Sequence, residues 1–308
     1  SHASARNRML FFYLHSLGKK NLGKLISLYT NEQMSYVKTK DAIVRASHVL
    51  TKANIEYAFF KTIRPYPSTT VDLDILIFGG NDEYIESLKA MKNAGYKLVT
   101  HGPRSTTLQD KEANVGIDIY SEVAVSFITY MDKRTLYPYV KTTKFRDDEY
   151  VKILEPEADL SCIIAHSLIK EQMYTLSEYY TFIYYLKQMD NTSFLKIVKQ
   201  NNITTATRTH ATMTALLHKT AHGTIPNELQ QILNNLGQDQ FETTRLIRNN
   251  FETPHKYHPI TVAKSLLEIA KGKTSRKSMA VQLYRMSNPS FTKKFLKTLL
   301  DHVKRETY

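Results

Sequence analysis

The hydrophobic pattern changes period twice along the chain. From about Arg8 to Ala53 apolar residues recur at helical spacing, with Leu22, Leu25, Ile26 and Tyr29 on one stripe, then Ile43, Val44, His48 and Leu50. Between about Asn54 and Glu122 the period shortens. Residues 55–60 form a short apolar run, 71–78 alternate, and 82–94 read as a helix closed by Gly95. Residues 96–100, 106–109 and 115–120 read as strands, with Gly102-Pro103 and residues 112–114 as turns. After Pro156 the helical spacing returns over 157–189, 204–222, 227–235, 239–251, 260–271, 278–286 and 289–305, punctuated by glycines and prolines. The fold class expected is α+β: a small mixed β-sheet core with flanking helices, followed by an all-helical domain. The boundaries expected are 1–53 for an N-terminal helical segment packing on the core, 54–155 for the core, and 156–308 for the helical domain.

Composition narrows the class. The 308 residues are 42% hydrophobic, enough for a real core and for two domains. A single cysteine, Cys162, excludes an internal disulfide and any cysteine-based zinc cluster, so a reducing, cytoplasmic setting is the expectation. No apolar run approaches the roughly 18–20 residues that cross a bilayer, so a soluble protein without a membrane partner is expected. Ser1-His2-Ala3-Ser4 reads as an expression remnant, which leaves a removed signal peptide open.

The net charge is +13, unevenly placed: from Thr261 onward eleven bases face three acids, a net of +8. That basic C-terminal region suits a polyanionic partner, nucleic acid first; a solvated basic face that keeps the protein soluble is the plainer alternative. Oligomeric state is not legible from these features.

Candidate chemistry begins at Val71-Asp72-Leu73-Asp74-Ile75-Leu76-Ile77. Side chains on a strand alternate faces, so Asp72 and Asp74 project together while Val71, Leu73, Ile75 and Ile77 are expected on the buried side. Two carboxylates about 7 Å apart on one face repel unless a cation sits between them. Mg²⁺, which takes oxygen ligands and substrate phosphates, answers that need, as does Mn²⁺. The pattern recurs in Gly116-Ile117-Asp118-Ile119-Tyr120. With the two strands adjacent, three carboxylates converge, as a pair of metals about 3.5–4 Å apart would require. An isolated pair of this kind would otherwise be the wet face of a half-exposed sheet. Just upstream, Phe60-Lys61-Thr62-Ile63-Arg64-Pro65-Tyr66-Pro67-Ser68-Thr69-Thr70 offers Lys61 and Arg64 to neutralise a triphosphate, and Thr62, Ser68, Thr69 and backbone amides to donate to it. It also reads as a Pro-braced surface loop.

On these segments the chain resembles the nucleotidyltransferase superfamily, the DNA polymerase β-like fold: a strand, a phosphate-binding turn, a strand bearing Asp-x-Asp, and a third Asp on a later strand. It is most similar to divergent prokaryotic branches with a helical C-terminal domain, in which a helix opening with Pro-Glu and carrying a His follows the core. Pro156-Glu157 and His166 correspond here, and the resemblance spans about residues 53–189. It implies an enzyme that moves an NMP from an NTP to an acceptor hydroxyl. Asp72 and Asp74 would bind both metals, and Asp118 the catalytic one. The acceptor expected is RNA, tRNA-like, or another nucleic acid; a protein or small molecule stays open. One departure stands out. The family's turn commonly begins Gly-Gly or Gly-Ser, and glycine lets backbone approach phosphate; this chain has Lys61-Thr62. A catalytically silent nucleic-acid-binding protein on the same fold is therefore the alternative.

Other signals are weaker. His166 and Lys170, one helical turn apart, are candidates to contact phosphate or base, or else to pack and be solvated. His218 and His222 stand at i, i+4, and His255 and His258 share a stretch read as a linker. Gly272-Lys273-Thr274 lacks the earlier glycine of a phosphate loop, since Leu267 stands there. The tyrosines at 174, 179, 180, 184 and 185 suit a helix that packs ring bodies in the core, or base stacking.

Overall fold

The computed structural model describes residues 2–18, 21–293 and 297. The chain divides into two compact units, Ser1–Val123 with Leu136–Glu155, and Ala124–Thr135 with Pro156–Tyr308. Its strands are β1 (Tyr57–Phe59), β2 (Asp72–Ile77), β3 (Lys97–His101), β4 (Ser105–Asp110), β5 (Val115–Tyr120), β6 (Val123–Val125), β7 (Ile128–Met131), β8 (Val140–Arg146), β9 (Glu149–Leu154), β10 (Met173–Tyr174) and β11 (His255–Lys256). The helices are α1 (His2–Arg6), α2 (Leu10–Leu17), α3 (Ile26–Lys52), α4 (Asn81–Asn93), α5 (Lys133–Leu136), α6 (Pro156–His166) and α7 (Leu176–Leu186). They continue with α8 (Asn191–Gln200), α9 (Thr204–His222), α10 (Asn227–Leu236), α11 (Gln240–Arg248), α12 (Pro259–Ile269) and α13 (Lys273–Met286). Among the described residues no helix is long and apolar enough to cross a membrane.

The first unit is a mixed seven-stranded sheet in the order β3-β4-β5-β2-β1-β9-β8. The pairs β2–β5 and β1–β9 run parallel; the others in that sheet are antiparallel. Alternation explains one face. Leu73, Ile75 and Ile77 of β2 join Ile117 and Ile119 of β5, Ala42, Ile43, Ala46 and Leu50 of α3, and Tyr84 and Met91 of α4 in one core. Removing that apolar surface from water is the main drive holding α3 and α4 on the sheet. Polar ties fix their placement. Ser47 Oγ lies 2.6 Å from Tyr57 Oη, and Arg45 of α3 reaches Asp110 at 2.8 Å. Asp110 Oδ1 also accepts from the backbone N–H groups of Glu112 and Ala113, which closes the β4–β5 turn.

All five strands and the helix expected between residues 55 and 120 are present. Val71 is a correction: it lies outside β2 and is 77% exposed, because the loop before the strand has not yet entered the sheet. Between 123 and 154 four strands form where none was expected. Two of them, β8 and β9, extend the sheet, with β9 docking beside β1 (Phe59 opposite Ile153).

In the second unit α6 is buried along nearly its whole length, with Tyr185 of α7 donating to Asp159 at 2.9 Å. The single long helical stretch expected over 157–189 is broken. After His166 the backbone makes a π-helical turn (Ser167–Glu171), reaches left-handed Gln172, and enters β10 before Thr175 caps α7, its own N–H donating in return to the Glu178 carboxylate. The supposed linker at 253–259 contains β11, which pairs with β10. Glu242 of α11 holds this region, accepting from His255 Nε2 (3.0 Å), the His258 N–H (2.8 Å), Thr261 Oγ1 (2.5 Å) and Arg245 (2.6 Å). The buried face of α13 is polar: Ser278 and Gln282 accept from the backbone N–H groups of Thr129 and Phe127. The helix expected over 289–305 lies largely outside the described residues, with Lys294, Lys304 and Arg305 among those not covered.

Candidate active site

The site is built by register. In the parallel β2–β5 pair Asp74 lies directly opposite Asp118, and Asp72 opposite Gly116. All three aspartates point away from the α3/α4 core, as their apolar neighbours dictate. Each offers one carboxylate oxygen, and these oxygens lie within 4.8 Å of one another. It is the one set of three or more metal-ligating side chains among the described residues.

The electrostatics match that crowding. Burial pushes the Asp72 carboxyl up to about 6, and the negative charges of Asp74 and Asp118 push the same way; Lys61 and Arg8 pull against them. Asp118 is held by Thr107 on β4, its partner in the register, whose hydroxyl donates to Oδ1 at 2.5 Å.

The turn after β1 is the other half of the site. Phe60 N–H donates to the Asp74 carbonyl, which carries the β1–β2 ladder one residue beyond the strand. Lys61 then adopts φ +60°, a left-handed conformation that costs a non-glycine residue roughly 1–2 kcal/mol. Its side chain is buried, with Nζ 3.4 Å from Asp74 Oδ2, 4.5 Å from the Phe60 ring centroid and 5.0 Å from that of Tyr120. The two rings meet edge-on at 5.3 Å. Aromatic faces and a carboxylate are surroundings that offset the cost of burying a cation. Thr62 accepts from the Asp74 N–H at 2.7 Å and donates to the Phe60 carbonyl, so its hydroxyl braces the start of β2.

Sequence reasoning named the three aspartates and Lys61, and the fold brings them together. Arg64, Ser68 and Thr69 lie in the loop that leads into β2, where Ser68 Oγ donates to the Thr69 carbonyl and Thr69 Oγ1 to Glu32 of α3 at 2.8 Å. His166 and Lys170 belong to the second unit. His166 Nδ1 lies 3.1 Å from Tyr130 Oη, its Nε2 3.1 Å from Glu171, and Lys170 Nζ 3.8 Å from the same carboxylate. Lys170 sits on the π-helical turn, so the regular one-turn spacing assumed for the two does not apply. Arg8, Thr107 and Tyr120 were missed. Nothing in the local pattern marks the first two, since one arrives from the N-terminal helices and the other from the adjacent strand.

Several of the remaining signals resolve into packing. Tyr174, Tyr179 and Tyr185 bury their rings in the second unit. Tyr179 Oη lies 2.9 Å from His218 Nδ1, and His255 is buried against Glu242.

No protein-family model matches the sequence, and no curated protein matches it. Among solved structures the chain is similar to an antigenic nucleotidyltransferase-like protein from Paracoccidioides brasiliensis. That pair shares 14% identity, with 72% of this chain and 95% of that chain covered and a TM-score of 0.34. It is also similar to a STING-associated CdnE c-di-GMP synthase from Capnocytophaga granulosa, at 13% identity, 89% and 91% coverage and a TM-score of 0.29. Likenesses this distant say nothing of substrate or activity. The functional reading stands on the carboxylates and on the turn beside them.

Proposed function

We propose that this chain is a divalent-metal-dependent nucleotidyltransferase that moves an NMP from an NTP to an acceptor hydroxyl. One observation carries the reading: two parallel strands set Asp74 beside Asp118, with Asp72 on the same face and carboxylate oxygens within 4.8 Å. Carboxylates so close resist ionising together, and the Asp72 carboxyl is raised first by burial and then by the charges of Asp74 and Asp118. The donor set fits Mg²⁺ or Mn²⁺, because it is all oxygen. Asp72, Asp74 and Asp118 would hold the metal. When bound, it supplies positive charge to the nucleotide phosphates and favours deprotonation of the attacking hydroxyl.

The chain's own groups position and balance charge. Thr107 orients Asp118, and Thr62 fixes the backbone that carries Asp74. Lys61 and Arg64 would supply positive charge towards the triphosphate. Ser68 and Thr69 would exchange their present partners to donate to it, and Thr62 would redirect the hydrogen it now gives the Phe60 carbonyl. His166 and Lys170 are proposed as further nucleotide contacts. In this division of labour, 54–155 is the catalytic core, 1–53 its helical support, and 156–308 the basic domain. RNA is the proposed acceptor, supported by the exposure of Lys264, Lys271, Lys273, Arg276, Lys277, Arg285 and Lys293.

A second reading, a catalytically silent nucleic-acid-binding protein, is favoured by one feature: Lys61 already gives Asp74 a cation. Incubation with each α-³²P-labelled NTP, Mg²⁺ or Mn²⁺ and total RNA separates the two, beside an Asp72→Asn/Asp74→Asn control. Label in RNA, in the protein or in a small molecule, present only with intact carboxylates, is the expected result. Absence of label in every pool would overturn the transferase reading.

A further inference from the structure

Lys61 is the unusual member of the site. It is a lysine in a left-handed turn, its ammonium is buried, and it is paired to one of the three carboxylates rather than extended to solvent. A lysine side chain gives up considerable rotamer freedom to be held this way. What it gains is specific: a charge partner at 3.4 Å and two aromatic faces within 5.0 Å. Moving it out would leave Asp74 beside Asp118 with the repulsion restored.

Lys61 answers the charge of Asp74 at 3.4 Å, which leaves Asp72, with Arg8 pulling on it, and Asp118 as the pair of carboxylates for an added cation. We propose that Lys61 is the resident counter-cation of Asp74, so that the nucleotide-free site takes one divalent ion, on Asp72 and Asp118. A second ion then enters only with the negative charge of the incoming phosphates, at which point Asp74 exchanges the ammonium for it. This inference rests on the metal-site reading above. It assigns Lys61 a part in regulating metal loading, separate from contact with phosphate.

The test is the stoichiometry of Mn²⁺ on the nucleotide-free full chain above pH 7, read from the electron paramagnetic resonance of the free ion. One ion per chain is expected for the wild type. K61M should take a second ion, or bind the first about tenfold more tightly, because a competing charge is gone. K61R should restore the wild-type result. The double variant K61M/D74N replaces the ion pair by neutral groups, guards against a K61M chain that fails to fold, and should keep one ion at wild-type affinity. Two ions on the wild type, K61M indistinguishable from the wild type, a tenfold weaker double variant, or no ion on any chain would each overturn the assignment. The outcome is separable from that of the transferase assay. One-ion binding without nucleotidyl transfer refutes the transferase and leaves the role of Lys61 intact, whereas transfer with two-ion binding does the reverse.

Discussion

Two acidic centres in this molecule, one buried and one half-buried, have opposite surroundings. Glu242, in the second unit, is fully buried, yet its carboxyl is lowered to about 2. Burial alone would raise it. Hydrogen bonds from His255, Thr261 and the His258 N–H, with the charge of Arg245, outweigh that burial. Asp72, in the first unit, is raised to about 6 by burial and by two further carboxylates, against the weaker pull of Lys61 and Arg8. The contrast separates two uses of a carboxylate. Where the chain supplies every donor, the acid is a structural pin. Where it supplies more acid, the deficit is left for something that binds.

The comparison breaks most sharply at Glu242. Glu242→Ala leaves His255, Thr261 and Arg245 without their shared acceptor, and is expected to destabilise the fold by about 3–5 kcal/mol. Urea unfolding measures it. A change within a few tenths of a kcal/mol would mean that the network does not pin α11, β11 and α12.

The next test is the sign of the pH dependence. Glu242 has its carboxyl lowered from 4.5 to about 2, so its contribution is present above about 4.5 and is lost as pH falls towards 2. Asp72 is raised from 3.8 to about 6, so its contribution is present below about 3.8 and is lost as pH rises through 6. Metal-free thermal melts should therefore show Asp72→Asn stabilising the chain above pH 6 and doing nothing below pH 4. Glu242→Gln should cost stability above pH 4.5, with the cost fading towards pH 2. Added Mg²⁺ should raise the wild-type melting temperature above pH 6 only. Parallel profiles for the two variants would mean that the two carboxylates do not differ in this way.

The smallest effect is expected at Thr107. Thr107→Val removes the hydroxyl that orients Asp118 while keeping the shape of the side chain, and should weaken Mn²⁺ binding by about tenfold without changing the melt. Equal loss of binding and of stability would make Thr107 a packing residue instead.

How much of this was legible beforehand follows from the range of each interaction. Asp72, Asp74 and Asp118 could be read because alternation is a local rule, and each is flanked by residues that must face the core. The strands β6 to β9 could not. Val140–Arg146 is Val-Lys-Thr-Thr-Lys-Phe-Arg, mostly polar, and takes its place by pairing with β9 rather than by its own pattern. Glu157–Met189 looked like one helix because helical spacing runs through it; the π-helical turn and β10 arise where Met173 and Tyr174 pair with a strand some 80 residues later.

The local sequence by itself determined the mixed sheet with helices on one face, the face on which the aspartates stand, and the helical character of most of the later chain. Each follows from the period of apolar residues and from hydrophobic burial. Only the tertiary structure decided that Asp74 lies level with Asp118 and that Lys61 turns inward to meet it. The same holds for Arg8 and Thr107, which reach the site, and for Glu242, which finds four donors around it. Those outcomes depend on strand register and on charges brought together across long separations, and interactions over such distances leave no period in the chain.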